Sequence, residues 1–200
     1  MSNVIYEYGE SLYLNLTNKC PCRCSFCIRT RTEGVGSDGS LWLKEEPTAA
    51  QVIAQLEQTP LESYDEVVFC GYGEPFCALD TLLEICAYLR TRPERPTIRI
   101  NTNGLGDLIN GKSTAPLLDG WVDVVSISLN APDSEMYMGL CRPSFGAPSF
   151  ASLLDFARQC KQHVPNVTLS VVDVISSTEI EHCREIAQDL GIPLRVRRCG

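Results

Sequence analysis

The stretch CPCRCSFC places four thiols in eight residues, Cys20, Cys22, Cys24 and Cys27. Thiolates crowded on a short segment bind soft metals or do redox chemistry. The start of the chain, MSNVIYEYGE, has neither a basic beginning nor the apolar run of an export signal, so a reducing, cytoplasmic setting is expected. The chain has 11 cysteines, an odd number that cannot close completely into disulfides. Zinc fits this pattern less well, because structural zinc draws on two separated knuckles or on Cys and His at short spacing. His163 and His182 lie far away, and no second CxxC follows. An iron–sulfur cluster fits better: Cys20, Cys24 and Cys27 form CxxxCxxC directly after a strand-like run. Three thiolates on a four-iron cluster leave one iron without a protein ligand, just as catalytic zinc keeps an open position. Cys22 sits inside the longer gap, and using it in place of Cys20 would give the cramped spacing CxCxxC.

A loop of this kind needs a scaffold, and the rest of the chain supplies βα repetition. Strands are expected at 12–18, 66–72, 97–103, 122–129, 167–174 and 194–198, with helices at 47–58, 78–91, 149–164 and 177–190. Pro47 is read as a first-turn residue, Gly191 and Pro193 as stops, and TAPLLD (114–119) as one short turn at most. Alternating strands and helices imply a parallel sheet. Six strands are fewer than the eight of a closed barrel, so the sheet is either open and doubly wound or an incomplete barrel.

Alternation within the strands decides between these, because strands covered on both faces read as continuous apolar runs. Here Leu12, Leu14 and Leu16 oppose Tyr13, Asn15 and Thr17, and Ile98 and Ile100 oppose Arg99, Asn101 and Asn103. Val125, Ile127 and Leu129 oppose Ser126, Ser128 and Asn130, and Leu194 and Val196 oppose Arg195 and Arg197. Helices would cover the apolar face, leaving the polar face curled around a lumen fit for a small polar molecule. The longest loops, 28–46 and 131–148, leave from the strand ends at which ligands bind in such folds.

Two hundred residues and an apolar fraction of 44% suit one core, so 1–200 is read as a single domain. No apolar run is long enough to cross a bilayer. A net charge of −8 disfavours general binding to nucleic acid or anionic membranes.

The motif NKCPCRCSFC, with Phe26 before its last cysteine, resembles the cluster loop of the radical SAM superfamily. GYGEP (71–75) is similar to that family's GGEP motif, with Tyr72 in its first position, and NTNG (101–104) and SISLN (126–130) fall at the ends of strands three and four. The resemblance covers nearly the whole chain. It implies an incomplete (βα)6 TIM-type barrel with parallel strands, a 4Fe-4S cluster on Cys20, Cys24 and Cys27, and S-adenosylmethionine as cofactor. Gly71, Tyr72, Gly73, Glu74 and Pro75 would then approach the cofactor's amino group, and Asn101, Asn103, Ser126, Ser128 and Asn130 its ribose and methionyl parts. The implied chemistry is reductive cleavage to a 5'-deoxyadenosyl radical that takes hydrogen from a small-molecule substrate. It also calls for an electron donor such as flavodoxin or ferredoxin. The chain's length and the loop LNAPDSEMYMGLCRPSFG look most like short radical SAM proteins encoded beside TatD-type nucleases, which makes such a nuclease a candidate partner.

Arg195 and Arg197 stand at the carboxyl end of a strand, and with Arg142 they are candidates for holding an anionic substrate group, since guanidinium forks suit phosphate and carboxylate. GVGSDG (34–39) matches a dinucleotide fingerprint but neither follows a strand nor opens a helix, so a plain loop is expected. Two other readings stay open: a non-enzymatic iron–sulfur electron carrier or sensor, and a zinc-binding interaction module with Cys22 as fourth ligand.

Overall fold

A computed structural model describes residues 4–30 and 40–199; GVGSDG therefore lies outside the described residues. Seven strands form one sheet in sequential order: β1 (Ile5–Tyr8), β2 (Ser11–Leu14), β3 (Glu66–Phe69), β4 (Thr97–Thr102), β5 (Val124–Ser128), β6 (Asn166–Val172) and β7 (Leu194–Arg197). From β2 to β7 every neighbouring pair is parallel. Sequential parallel order with crossovers of one hand puts the helices on a single side, and this curls the sheet into an incomplete TIM-type barrel.

The expected helices appear as α1 (Ala49–Leu56), α2 (Leu79–Arg90), α5 (Pro148–His163) and α6 (Ser177–Leu190). Pro47 is not in the first turn of α1: Thr48 and Gln51 close a reciprocal capping box, so the helix begins after the proline. TAPLLD contains one 3-10 turn, Ala115–Leu118. One strand and two α-helices were not expected. The first is β1, which pairs antiparallel with β2 across the two-residue turn Gly9–Glu10, where Gly9 takes φ 63°. The second is the short α3 (Gly106–Asn110). The third is α4 (Ser134–Cys141), inside the segment read as a long loop and capped by Asp133, which accepts from Met136 N at 2.8 Å.

The two faces of the sheet separate as the alternation demands. Leu12, Leu14, Val67, Phe69, Ile98, Ile100, Val125, Ile127, Leu169 and Val171 are buried against the helices. Cys86, Cys160 and Cys183 belong to the same core, where a thiol behaves as a small hydrophobe. The other face lines a cavity of about 560 Å³ bounded by Tyr13, Glu66, Arg99, Asn101, Ser126, Ser128, Ser170, Arg195 and Arg197. Among the described residues no helix is long and apolar enough to cross a membrane.

Candidate active site

The cysteine loop follows β2 and rests on the end of α4. An α-helix leaves its last carbonyls without intrahelical partners. The loop supplies donors for two of them, Arg23 N to Cys141 O and Ser25 N to Leu140 O, both at 2.9 Å. In return Ser144 N donates to Pro21 O at 2.8 Å. Arg29 ties the far side, donating to Cys22 O at 3.2 Å and Tyr72 O at 3.5 Å. The loop is thus held by its own backbone, which leaves the thiols to do chemistry.

Those thiols are not equivalent. Cys24 Sγ lies 3.8 Å from Cys141 O, and the neighbouring Cys141 and Cys22 thiols lower its pKa. Cys20 is lowered by its hydrogen bond with Cys22. Cys22 and Cys141 are pushed up as the proton-holding partners, and burial raises Cys27. Cys22 lies in the apolar core, whereas Cys20, Cys24 and Cys27 are each half-buried. Cys20, Cys24 and Cys27 carry the spacing and the partly accessible thiols that a cluster takes, so these residues fit it. Among the described residues no three Cys, His, Asp or Glu side chains come close enough to hold a single metal ion. Cluster ligands bind separate irons and need no such convergence.

Beside this loop sits GYGEP, and its glycines are explained by contacts within the chain. A Cβ on Gly73 would lie 2.1 Å from Thr17 O, and one on Gly71 would lie 2.0 Å from Asn15 Oδ1. The tight approach that Gly73 allows is therefore to the backbone entering the cysteine loop, where Glu74 N also donates to Lys19 O at 2.8 Å. Tyr72 turns away from the lumen and packs with Tyr6, Leu41 and Trp42. Pro75 opens the 3-10 turn Pro75–Ala78 that Glu74 caps.

Glu74 itself is 3% exposed. Its carboxylate accepts from Thr102 Oγ1 at 2.7 Å, Asn103 N at 2.8 Å and Phe76 N at 3.3 Å. Among the described residues no cation pairs with it. Burial outweighs the three hydrogen bonds and pushes its pKa up to about 7. A buried carboxylate without a counter-charge is costly unless it is hydrogen-bonded, and the three donors offset that cost here. Thr102 was missed in the sequence, though it left a signal: it is the polar residue in the apolar stripe begun by Ile98 and Ile100.

Asn103 joins the two halves of the site. Its Nδ2 lies 3.9 Å from Cys20 Sγ and 3.7 Å from Cys22 Sγ, while its Oδ1 accepts from Leu105 N. Asn130, at φ 59°, is buried with an Oδ1 that has no hydrogen-bond partner among the described residues, and its Nδ2 points to Cys141 Sγ at 3.9 Å. Both asparagines cluster with the thiols. Asn101, Ser126 and Ser128 instead line the lumen below.

The arginines divide in the same way. Arg195 and Arg197 stand in the lumen, and Arg197 reaches Ser128 Oγ at 3.5 Å. Arg197 is exposed at the open edge of the sheet, and partial desolvation by the lumen walls lowers its pKa. Arg99 is neutralised by Glu66 at 2.7 Å, whereas among the described residues neither Arg195 nor Arg197 pairs with a carboxylate. Arg142 is not with them; it borders a second cavity, also about 560 Å³, beside Cys24 and Cys27.

The model of the radical SAM superfamily matches residues 14–190, from the end of β2 to the end of α6. The chain belongs to the radical SAM superfamily. Members of this family are enzymes that use a 4Fe-4S cluster and S-adenosylmethionine. Among curated proteins, a GTP 3',8-cyclase from Corynebacterium glutamicum (strain R) is 30% identical over 193 residues, covering 94% of this chain and 48% of that protein. A GTP 3',8-cyclase from Mycobacterium ulcerans is 31% identical over 145 residues, covering 68% of this chain and 36% of that protein. The radical SAM chain thus spans less than half the length of these curated relatives. Streptococcus suis SuiB, solved with its precursor peptide SuiA, superposes with a TM-score of 0.70 at 18% identity, covering 98% of this chain and 40% of that one. Methylornithine synthase superposes at 0.58 and 15% identity, covering 95% and 53%. These likenesses establish the barrel fold.

Proposed function

We propose that this radical SAM enzyme holds its cluster on Cys20, Cys24 and Cys27, binds the cofactor's ammonium at Glu74, and takes an anionic small molecule into the lumen. When bound, cluster and cofactor supply a reductively generated 5'-deoxyadenosyl radical that abstracts hydrogen from substrate. The chain's own residues orient and shield. Glu74 fixes the amino end of the cofactor, and Thr102 and the Asn103 amide hold that carboxylate in place. Asn130 Oδ1 offers an acceptor to a hydroxyl, and Asn101, Ser126 and Ser128 extend the polar wall toward the substrate. Arg195 and Arg197 then receive the anionic group. GTP is the first substrate to test, because the curated relatives are named for acting on it. A flavodoxin or ferredoxin would supply the electron in a cytoplasmic setting, with 1–200 acting as one catalytic core. A TatD-type nuclease is a proposed partner, on the resemblance of the chain's length and of the loop LNAPDSEMYMGLCRPSFG.

The observation that carries this reading is Glu74: a buried carboxylate with no cationic partner, linked through Asn103 to the cysteine loop. Anaerobic reconstitution with iron and sulfide, then reduction in the presence of S-adenosylmethionine, is expected to yield 5'-deoxyadenosine and methionine. Cys24→Ala is expected to lose its iron while Cys22→Ala keeps it. Loss of iron from both variants would favour a fully protein-ligated metal.

A further inference from the structure

A thiol that the cluster does not use stands at the carboxyl end of β3. The last residue of that strand, Phe69, pairs with Leu14 on one side and Ile100 on the other, and all three are buried against the helices. Side chains alternate along a strand, so the next row, Asn15, Cys70, Asn101 and Ser126, points the other way, to the polar side of the barrel. Cys70 N donates to Leu14 O at 3.1 Å, which carries the pairing one residue past the strand. Cys86, Cys160 and Cys183 are sealed in the core, whereas Cys70 is half-buried. Asn101 and Arg197 act on its thiol from the lumen, and Glu74 acts on it from the carboxylate cradle. Cys70 thus stands between the group assigned to the cofactor and the groups assigned to substrate. Its neighbour in the row, Asn15, is 1% exposed, with an Oδ1 that has no hydrogen-bond partner among the described residues. A buried acceptor left unpaired is costly, and beside a half-buried thiol it offers a bond for a ligand to complete.

We infer that Cys70 is a further catalytic residue, one that donates a hydrogen atom to carbon radicals formed in the lumen. The inference rests on the radical chemistry proposed above. A thiol S–H bond is weaker than an alkyl C–H bond, so a carbon radical takes its hydrogen downhill. The hydroxyls of Ser126 and Ser128 line the same wall, but an O–H bond is too strong to serve. Burial raises the pKa of Cys70, so near neutral pH the sulfur keeps its hydrogen. In the step the S–H bond breaks homolytically, a C–H bond forms, and the unpaired electron passes from carbon to sulfur. The thiyl returns to the thiol by taking one electron from the low-potential one-electron reductant that serves the cluster and a proton from solvent. A reaction closed in this way gives hydrogen back to the substrate carbon, as in a rearrangement, and is not a net oxidation of the substrate.

The test uses the reconstituted protein with S-adenosylmethionine as the only probe, since its cleavage without substrate exposes the lumen to a carbon radical. The protein is reduced anaerobically in heavy water, where thiols exchange their hydrogen for deuterium, and the 5'-deoxyadenosine formed is analysed by mass. The unaltered protein is expected to place deuterium at the 5' carbon. Cys70→Ser and Cys70→Ala are expected to lose that deuterium, with hydrogen drawn instead from non-exchangeable C–H bonds, while iron content and cofactor binding stay unchanged. A second readout needs no turnover. Iodoacetamide applied to the folded protein, followed by peptide mass spectrometry, is expected to label Cys70 but not Cys86, Cys160 or Cys183. Product without deuterium from the unaltered protein, or equal deuterium from the variants, overturns the inference. Labelling of Cys70 only on unfolding does so too, because the thiol would then not face the lumen. If no 5'-deoxyadenosine forms even from the unaltered protein, the radical reading fails and takes this inference with it.

Discussion

The cradle around Glu74 and the lumen below it are both polar, but they are built on opposite terms. In the cradle nearly every group is committed: Gly73 presses on Thr17, Glu74 N reaches Lys19 O, and the carboxylate takes three donors. In the lumen one arginine is neutralised, two have no carboxylate partner among the described residues, and serines and an asparagine line open space. The first arrangement holds its carboxylate in one orientation before anything binds, which is what positioning a reactive cofactor demands. The second leaves charge and hydrogen-bonding capacity for a ligand to satisfy. Rigidity where the chemistry starts and spare capacity where the substrate sits let one scaffold serve different substrates.

Substitutions can break this contrast at either end. Gly73→Ala is expected to have the largest effect, because its Cβ would meet backbone rather than a movable side chain. The cost is expected to exceed about 3 kcal/mol, seen as a fall in melting temperature on the order of 10 °C. Little or no loss would mean that the Thr17 backbone shifts aside and the cradle is not rigid.

Glu74 makes the contrast depend on pH. With its native pKa raised to about 7 from an ordinary value near 4.5, the folded ligand-free protein holds a proton that the unfolded chain has already released. Stability contributed by this group is therefore complete below pH 4.5 and lost as pH rises through 7, by about 3 kcal/mol in all. Chemical denaturation across that window should show a fall that Glu74→Gln flattens. A cofactor ammonium favours the ionised form, so S-adenosylmethionine is expected to bind more tightly as pH passes 7 in the native protein only.

At the lumen end, Arg197→Ala should leave melting temperature and cofactor cleavage in the absence of substrate unchanged. It should weaken binding of a phosphate-bearing probe such as GTP about tenfold, as for the loss of one charged hydrogen bond. Unchanged binding would remove Arg197 from the substrate assignment. The smallest effect is expected at Gly139 in α4, where an added Cβ meets nothing within 4 Å. Gly139→Ala should stabilise the helix by about 0.5–1 kcal/mol, and a loss instead would show that the helix must flex to hold the cysteine loop.

Much of the site was legible because it is written in local terms. CxxxCxxC needs only spacing, and one-sided alternation in four strands was enough to predict a polar lumen, since side-chain direction follows from strand geometry alone. The turn at Gly9–Glu10 was legible too, as a glycine between two runs rich in aromatic and aliphatic residues, and β1 could have been read from it. Helix α4 was harder, because Gly139 and a weak apolar face hide it. Its function at the site, offering free carbonyls to the cysteine loop, depends on residues more than a hundred positions apart.

By itself, then, the sequence determined the six parallel strands and their faces, the three spaced thiols and the acid that follows Gly73, because periodicity, spacing and residue type are properties of short segments. Tertiary structure alone decided which thiol is lowered and by which neighbour, that Glu74 is buried without a cation, and that Arg142 parts company with Arg195 and Arg197. Those are matters of burial and of distance between groups far apart in the chain, and charge takes its energy from both.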